Sequence, residues 1–287
     1  MSLTRLLLPL VFAASACAAH AQQGVDLLDP GQSPNFPAWT LYGSASAQNL
    51  TPGNGFTYST LNLTQATVGG SAGAGWAPQT LLLDFNTAFS FRFAFNIHNN
   101  PDEVRGDGLT FVLADATGVG GTGSGLGYEG LSSRSLALAI DTFHFDGEPV
   151  SPSLQILTQG VTTPVAYTET GLGDAIRNGN YALIATFDYT PSGLADHAGT
   201  LTGTIWNPDV GSFSVQAGVD FAALGLVGLP VYYGFTAANG LATDGHTIQW
   251  GAVAAVPEPG SWALIGAGLG WLGLLAQRRR EIGRAHV

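Results

Sequence analysis

Nine residues, Phe89-Ser90-Phe91-Arg92-Phe93-Ala94-Phe95-Asn96-Ile97, put a large apolar side chain at every second position. In an extended strand successive side chains point to opposite faces, so Phe89, Phe91, Phe93, Phe95 and Ile97 share one face. Such a row is either an aromatic platform for a sugar or the inner face of a β-sandwich, and the second is the commoner use. Shorter period-two runs recur at Tyr181 to Tyr189, Leu201 to Trp206 and Thr247 to Trp250, separated by Gly, Pro and Asn turns. No convincing helix precedes residue 260, and neither an internal repeat nor a linker interrupts the chain before Ala252. The 40 glycines and the absence of lysine point the same way, to many tight turns and few solvent-facing helices. The predicted class is all-β, a two-sheet antiparallel β-sandwich forming one domain over residues 22–255.

The two ends differ from this body. Arg5 precedes LLLPLVFAASACAA and then Ala19-His20-Ala21, the charged, apolar and small-x-small pattern of a secretory signal, with cleavage by signal peptidase expected after Ala21. Cys17 as a lipoprotein cysteine is the alternative, but Ala14 stands where that motif wants leucine. Cys17 is the sole cysteine, so the mature protein has no disulfide and must rest on its core or on bound metal. At the other end, Pro257-Glu258-Pro259 precedes an apolar run of about 17 residues and then Arg278-Arg279-Arg280. That run is near the lower limit for a membrane-spanning helix, and the arginines would hold its end in the cytoplasm. An ordinary anchor is one reading. The combination over residues 256–280 resembles the PEP-CTERM sorting signal of Gram-negative bacteria, which implies recognition by an exosortase, a transient stay in the inner membrane and removal of the tail. Residues 281–287 resemble a translated sequencing adapter and are set aside as an artefact.

Nine arginines face 20 acids, a formal net charge of −11. A surface this acidic repels phosphate backbones, so nucleic acid and anionic membrane surfaces are poor partners and neutral sugars and divalent cations better ones.

Two acids stand at strand ends: Asp107 opens the run GLTFVLA, and Asp141 closes LALAI. A glycine-rich loop ending Gly-Leu-Gly-Tyr-Glu-Gly lies between them. Leu136, Leu138 and Ile140 face one way and Ala137, Ala139, Asp141 and Phe143 the other, which sets Asp141 apart from the leucine face. The order Asp107-Gly108-x-x-Phe111, glycine loop, Asp141-Thr142-Phe143 resembles the L-type (legume-type) lectin family. The opening Trp39-x-x-x-Gly43-x-Ala45, Leu61-x-Leu63-Thr64 and Gly73-x-x-Trp76 is similar to it as well. So is the close, Gly234-Phe235-Thr236-Ala237 through Gly240 and then His246-x-Ile248, although Ile248 and Trp250 are one residue closer than in the family.

The resemblance implies a concanavalin-like jelly roll and a sugar pocket. Asp107, after a cis Gly106-Asp107 bond, would accept hydrogen bonds from two sugar hydroxyls. Gly123 to Gly125 and the stretch Ala242 to Gly245, with Asp244, would complete the pocket. It also implies Ca²⁺ on Asp141 and the Phe143 carbonyl, with Asp146 or Glu148 as further oxygen ligands. Alternatively, Asp146-Gly147-Glu148-Pro149 is only a turn. The family's second, transition-metal site needs a glutamate where Ala139 stands, so that metal is not expected. Phe145 occupies the place of an asparagine that helps hold calcium and sugar, and could stack on a sugar ring.

Laminarinase-type glucanases share the sandwich but need a second carboxylate at the position of Ala139, so hydrolysis is not expected. No Gly-x-Ser-x-Gly, His-Glu-x-x-His or phosphate loop is present. His98, His144, His197 and His246 lack metal-ligand spacing and read as surface or turn residues. The sequence thus describes an exported, non-enzymatic glycan-binding protein whose ligand is an exopolysaccharide or other extracellular glycan. Its expected destination is the cell surface or exterior of a Gram-negative bacterium. The rival is a structural matrix or biofilm protein that keeps the fold without a sugar site.

Overall fold

The computed structural model describes residues 23–29, 34–50, 58–99, 106–177, 179 and 181–249. The signal at 1–21, the sorting signal with its membrane helix at 256–280 and the tail 281–287 lie outside the described residues. Among the described residues, no helix is long and apolar enough to cross a membrane.

The strands form two sheets. The first seven in chain order are β1 (Gln23–Asp26), β2 (Thr40–Gly43), β3 (Ser46–Leu50), β4 (Tyr58–Thr64), β5 (Ser71–Trp76), β6 (Phe89–Asn99) and β7 (Gly108–Ala114). They are followed by β8 (Ser135–Asp141), β9 (Ser153–Thr158), β10 (Val161–Glu169) and β11 (Leu183–Pro191). The chain closes with β12 (Ala198–Asn207), β13 (Gly211–Asp220), β14 (Tyr232–Asn239) and β15 (Asp244–Gln249). One sheet runs β13-β12-β11-β6-β15-β4-β3, with β1 added beside β6, and the other runs β10-β9-β8-β7-β14-β5-β2. Neighbours are antiparallel except β1, which lies parallel to β6 opposite Phe89 to Arg92, while β15 pairs β6 from Ala94 to Asn99. The expected two-sheet sandwich is therefore the observed one.

The alternating row of β6 is core. Phe89, Phe91, Phe93, Phe95 and Ile97 are all buried between the sheets, with Phe91 against Phe111 at 4.9 Å and Phe93 edge-on to Phe235 at 4.8 Å between ring centroids. Leu136, Leu138 and Ile140 of β8 enter the same core, whereas Ala137 and Ala139 face outward into a second cluster with Trp76, Leu126 and Tyr128. That second cluster exists because the glycine loop folds back over the outer face of the sheet.

Several local expectations are corrected. Trp39 of the opening motif ends a 3-10 turn over Phe36–Ala38 and stacks on Phe235 in the core. β11 starts at Leu183 instead of Tyr181, because its pairing runs on to Pro191 opposite Gly199 while Tyr181 is exposed. His246 is no surface residue but fully buried, its Nδ1 2.7 Å from the Thr64 hydroxyl. Burial, seconded by the charges of Arg177 and His98, lowers its pKa to about 3.

Candidate functional site

The antiparallel register of β7 and β8 sets Gly108 opposite Asp141, so Asp107 and Asp141 emerge at the same end of adjacent strands. Thr142 joins them: its N–H donates to the Asp107 carbonyl at 2.8 Å. Both carboxylates are buried, each about 5% exposed.

Two loops enclose Asp107. The glycine loop makes a 3-10 turn at Gly123–Gly125 and is fastened to the sheet below it. The Trp76 indole donates to the Gly118 carbonyl at 2.8 Å, the Thr236 hydroxyl to the Leu126 carbonyl at 2.7 Å, and the Tyr128 hydroxyl lies 2.9 Å from Ser135 Oγ. Gly127 has φ +67°, and a Cβ there would sit 2.9 Å from the Ala237 carbonyl oxygen, so only glycine lets the loop lie this close. The second loop runs from the end of β14 to the start of β15. Its base is closed by the Asn239 amide, which donates to the Asp244 carbonyl at 3.0 Å and accepts from the Asp244 N–H at 3.0 Å. The loops meet over the acid: the Gly240 N–H donates to the Asp107 carboxylate, and a Cβ on Gly240 would lie 3.2 Å from both Asp107 Oδ2 and Gly123 Cα.

Between them opens a cavity of about 310 Å³. Asp107, Gly123 and Ser124 lie on one side, Phe143 and Phe145 on another, and Gly240, Leu241 and Ala242 close it. The side chains of Phe145 and Leu241 are exposed at this mouth, Leu241 fully. Burial raises the Asp107 pKa to about 6, opposed by the Gly240 N–H and reinforced by the charge of Glu148. The site can therefore offer a carboxylate acceptor beside apolar walls, a combination suited to a ligand with both hydroxyls and a non-polar face.

The structure brings together Asp107, Gly123 and Phe145 as expected sugar-site positions, and Phe143 joins them in the lining. It does not bring in Gly125, the buried last residue of that turn, or Asp244, which is fully buried and bonded to Arg177 at 2.7 Å. Asp244 cannot face a ligand because a guanidinium already covers it. The Gly106-Asp107 bond is trans; among the described residues the cis bond is Ser151-Pro152. Thr122, Gly240 and Leu241 line the cavity and were not singled out from sequence as site residues, although Asn239-Gly240 is a turn dipeptide that could have marked the loop.

The residues at Asp141 do not fit the cation site that the resemblance implies. Its Oδ1 accepts from the Phe143 N–H at 3.0 Å and from the Ser151 hydroxyl at 2.9 Å, and its Oδ2 accepts from the buried Gln155 amide at 2.8 Å. Donors thus already point at both oxygens, where a metal would need acceptors around it. Burial raises this carboxyl to about 7, with the neighbouring hydrogen bonds opposing and Glu148 adding to the rise. Glu148 turns its carboxylate to the Phe145 N–H at 2.9 Å, and its own N–H closes a turn to the Phe145 carbonyl at 3.0 Å with Gly147 at φ +88°. Asp146 is exposed on that turn, and among the described residues no cluster of three His, Cys, Asp or Glu is arranged for a metal. The stretch Asp146-Gly147-Glu148-Pro149 is thus a self-capped turn.

No family profile and no curated protein matches the chain. Solved structures do. Basic winged bean lectin with Tn-antigen is 21% identical over 75% of this chain and 90% of its own, with a TM-score of 0.58. The metal-free form of lectin I-B4 from Griffonia simplicifolia is 21% identical over 76% and 93%, with a TM-score of 0.56. The Ca²⁺- and mannose-bound exoplasmic/lumenal domain of VIP36 is 17% identical over 74% and 82%, with a TM-score of 0.50. The fold is accordingly a legume-lectin jelly roll. Its structural neighbours are legume-type lectins, and the likeness is one of fold.

Proposed function

We propose that this chain is a non-enzymatic glycan-binding protein, exported from a Gram-negative bacterium, whose cavity at Asp107 takes one saccharide unit of an exopolysaccharide or another extracellular glycan. The observation that carries the reading is Asp107 itself, held by the Gly240 N–H inside a cavity walled by Phe145 and Leu241. Its carboxylate would accept sugar hydroxyls while the two apolar side chains meet the ring's C–H face. Glycan binding by lectins of the same fold supports this by analogy. The test is an affinity gel or glycan array with the parent and Asp107→Ala. Retention by a polysaccharide that this variant abolishes, with its β-sheet circular dichroism intact, is the expected result. Parent protein retained by no glycan would favour the matrix-protein reading instead.

Sorting belongs to the same proposal. Pro257-Glu258-Pro259, the apolar run and Arg278-Arg279-Arg280 would present the tail to an exosortase, and the mature protein would end near Pro259 to Ser261. A strain lacking the exosortase should keep the full-length form in its membrane fraction. An unchanged mature mass in that strain would refute this part alone.

A further inference from the structure

Arg177 lies far in sequence from the β14–β15 loop and from the segment that follows β8, yet it touches both. It follows the 3-10 turn Gly173–Ile176, between β10 and β11, and its side chain is buried to 4% exposure. Nε donates to Asp244 Oδ2 at 2.7 Å, at the base of the loop that carries Gly240, Leu241 and Ala242. One terminal nitrogen donates to the Thr142 carbonyl at 2.8 Å, in the segment that leads to Phe143 and Phe145. The other approaches the more exposed Asp174 at 3.9 Å.

Thr142 and Asp244 are both fixed on their other sides. Thr142 donates to the Asp107 carbonyl, and its hydroxyl reaches the Gly106 carbonyl at 3.4 Å. The Asp244 carbonyl accepts from the Thr64 hydroxyl and the Asn239 amide. The guanidinium therefore joins the two walls of the cavity through a planar, pre-organised fork. A buried charge removed from its partner costs far more than an exposed one, so the fork is not a loose surface contact. Meanwhile Asp141, where a bound cation would do similar work, already accepts from the Phe143, Ser151 and Gln155 donors.

We infer that Arg177 is the positioning residue of the cavity, a built-in cation that holds the Phe143–Phe145 wall and the Gly240–Ala242 wall in register, so that the pocket keeps its shape without a divalent metal. The ligand side of this inference rests on the glycan reading proposed above; the loop geometry does not.

The test compares the parent, Arg177→Lys, and Arg177→Met combined with Asp244→Asn. The double variant leaves no uncompensated buried charge, so the fold survives the loss of the clamp. Backbone hydrogen exchange is followed over residues 142–148 and 239–245, with and without excess EDTA, beside retention on the glycan gel. In the double variant exchange is expected to rise in both segments and not in β6 or β11, and retention to fall about tenfold or more. Lysine, a point charge without the fork, is expected to restore only part of either effect. EDTA is expected to change nothing in the parent.

Unaltered exchange in both segments of the double variant would overturn the inference. So would a parent whose loops loosen in EDTA and tighten again with added Ca²⁺. If the parent binds no glycan but the two loops still loosen together without Arg177, the sugar reading has failed and the clamp stands.

Discussion

Asp107 and His246 each carry a shifted proton affinity, and the shifts act in opposite directions. The folded pKa of Asp107, about 6, lies above its ordinary 3.8. The folded protein therefore binds that proton more tightly than the unfolded chain. The associated stability is full below about pH 4 and is lost as pH rises through about 6. His246 does the reverse, because its folded pKa of about 3 lies below the ordinary 6.5. The unfolded chain takes up that proton first, so stability falls as pH drops below 6.5. Between pH 4 and 6 the two slopes offset one another. Asp107→Asn removes one of them, and its thermal midpoint is expected to fall more steeply than the parent's on acidification from pH 6 to pH 4. Equal slopes in the two proteins would show that Asp107 titrates normally. Glycan binding should follow the opposite course from Asp107's stability term, since a protonated carboxyl loses an acceptor: retention by the parent is expected to decline below about pH 6.

At the scale of elements, strands were legible and their partners were not. The face of β6 could be read because its period of two is carried by phenylalanines, and that of β8 because leucine and alanine alternate. β1 could not be read: Gln23-Gly24-Val25-Asp26 has a single large apolar side chain, and it becomes a strand only because β6 offers a free flank at Phe89 to Arg92. Within the site, Asp107, Gly123 and Phe145 were legible from motif order. Arg177 was invisible because its partners, Thr142 and Asp244, are brought to it by tertiary folding alone. Its only sequence-level signal was rarity, a lone arginine in an acidic, lysine-free stretch. The glycine loop was legible as a loop, but not that Leu126 and Tyr128 would bury themselves on the outer face of the sheet. That docking gives an element-scale prediction. Gly127→Ala forces a Cβ onto positive φ and to within 2.9 Å of the Ala237 carbonyl oxygen, so it is expected to cost about 1–3 kcal/mol. A thermal midpoint equal to the parent's would mean that the loop lifts off the sheet without penalty.

The whole molecule is an anion whose arginines, among the described residues, are all paired, and this limits what the cavity can hold. Arg92 pairs with Asp26 at 3.4 Å, Arg134 with Asp115 at 3.3 Å and Arg177 with Asp244 at 2.7 Å. Among the described residues, the lining of the cavity supplies a carboxylate, a hydroxyl-bearing turn and apolar side chains, but no basic group. A uronic acid or sulfated sugar entering there would meet Asp107 without a counter-charge, inside the field of a chain with a net charge of −11. Charges on the surface are screened over a Debye length of roughly 10 Å at 0.1 M salt, so part of that repulsion depends on ionic strength. A neutral sugar feels none of it and releases no bound counterions, so its affinity should be flat in salt. The expected outcome on matched affinity gels is retention by neutral polysaccharides, unchanged between low and high salt. Uronic-acid-rich polysaccharides should be bound weakly or not at all, and somewhat better as salt rises. Tight binding of an acidic polysaccharide that weakens with added salt would mean that a basic surface, and not the Asp107 cavity, is where this protein meets its glycan.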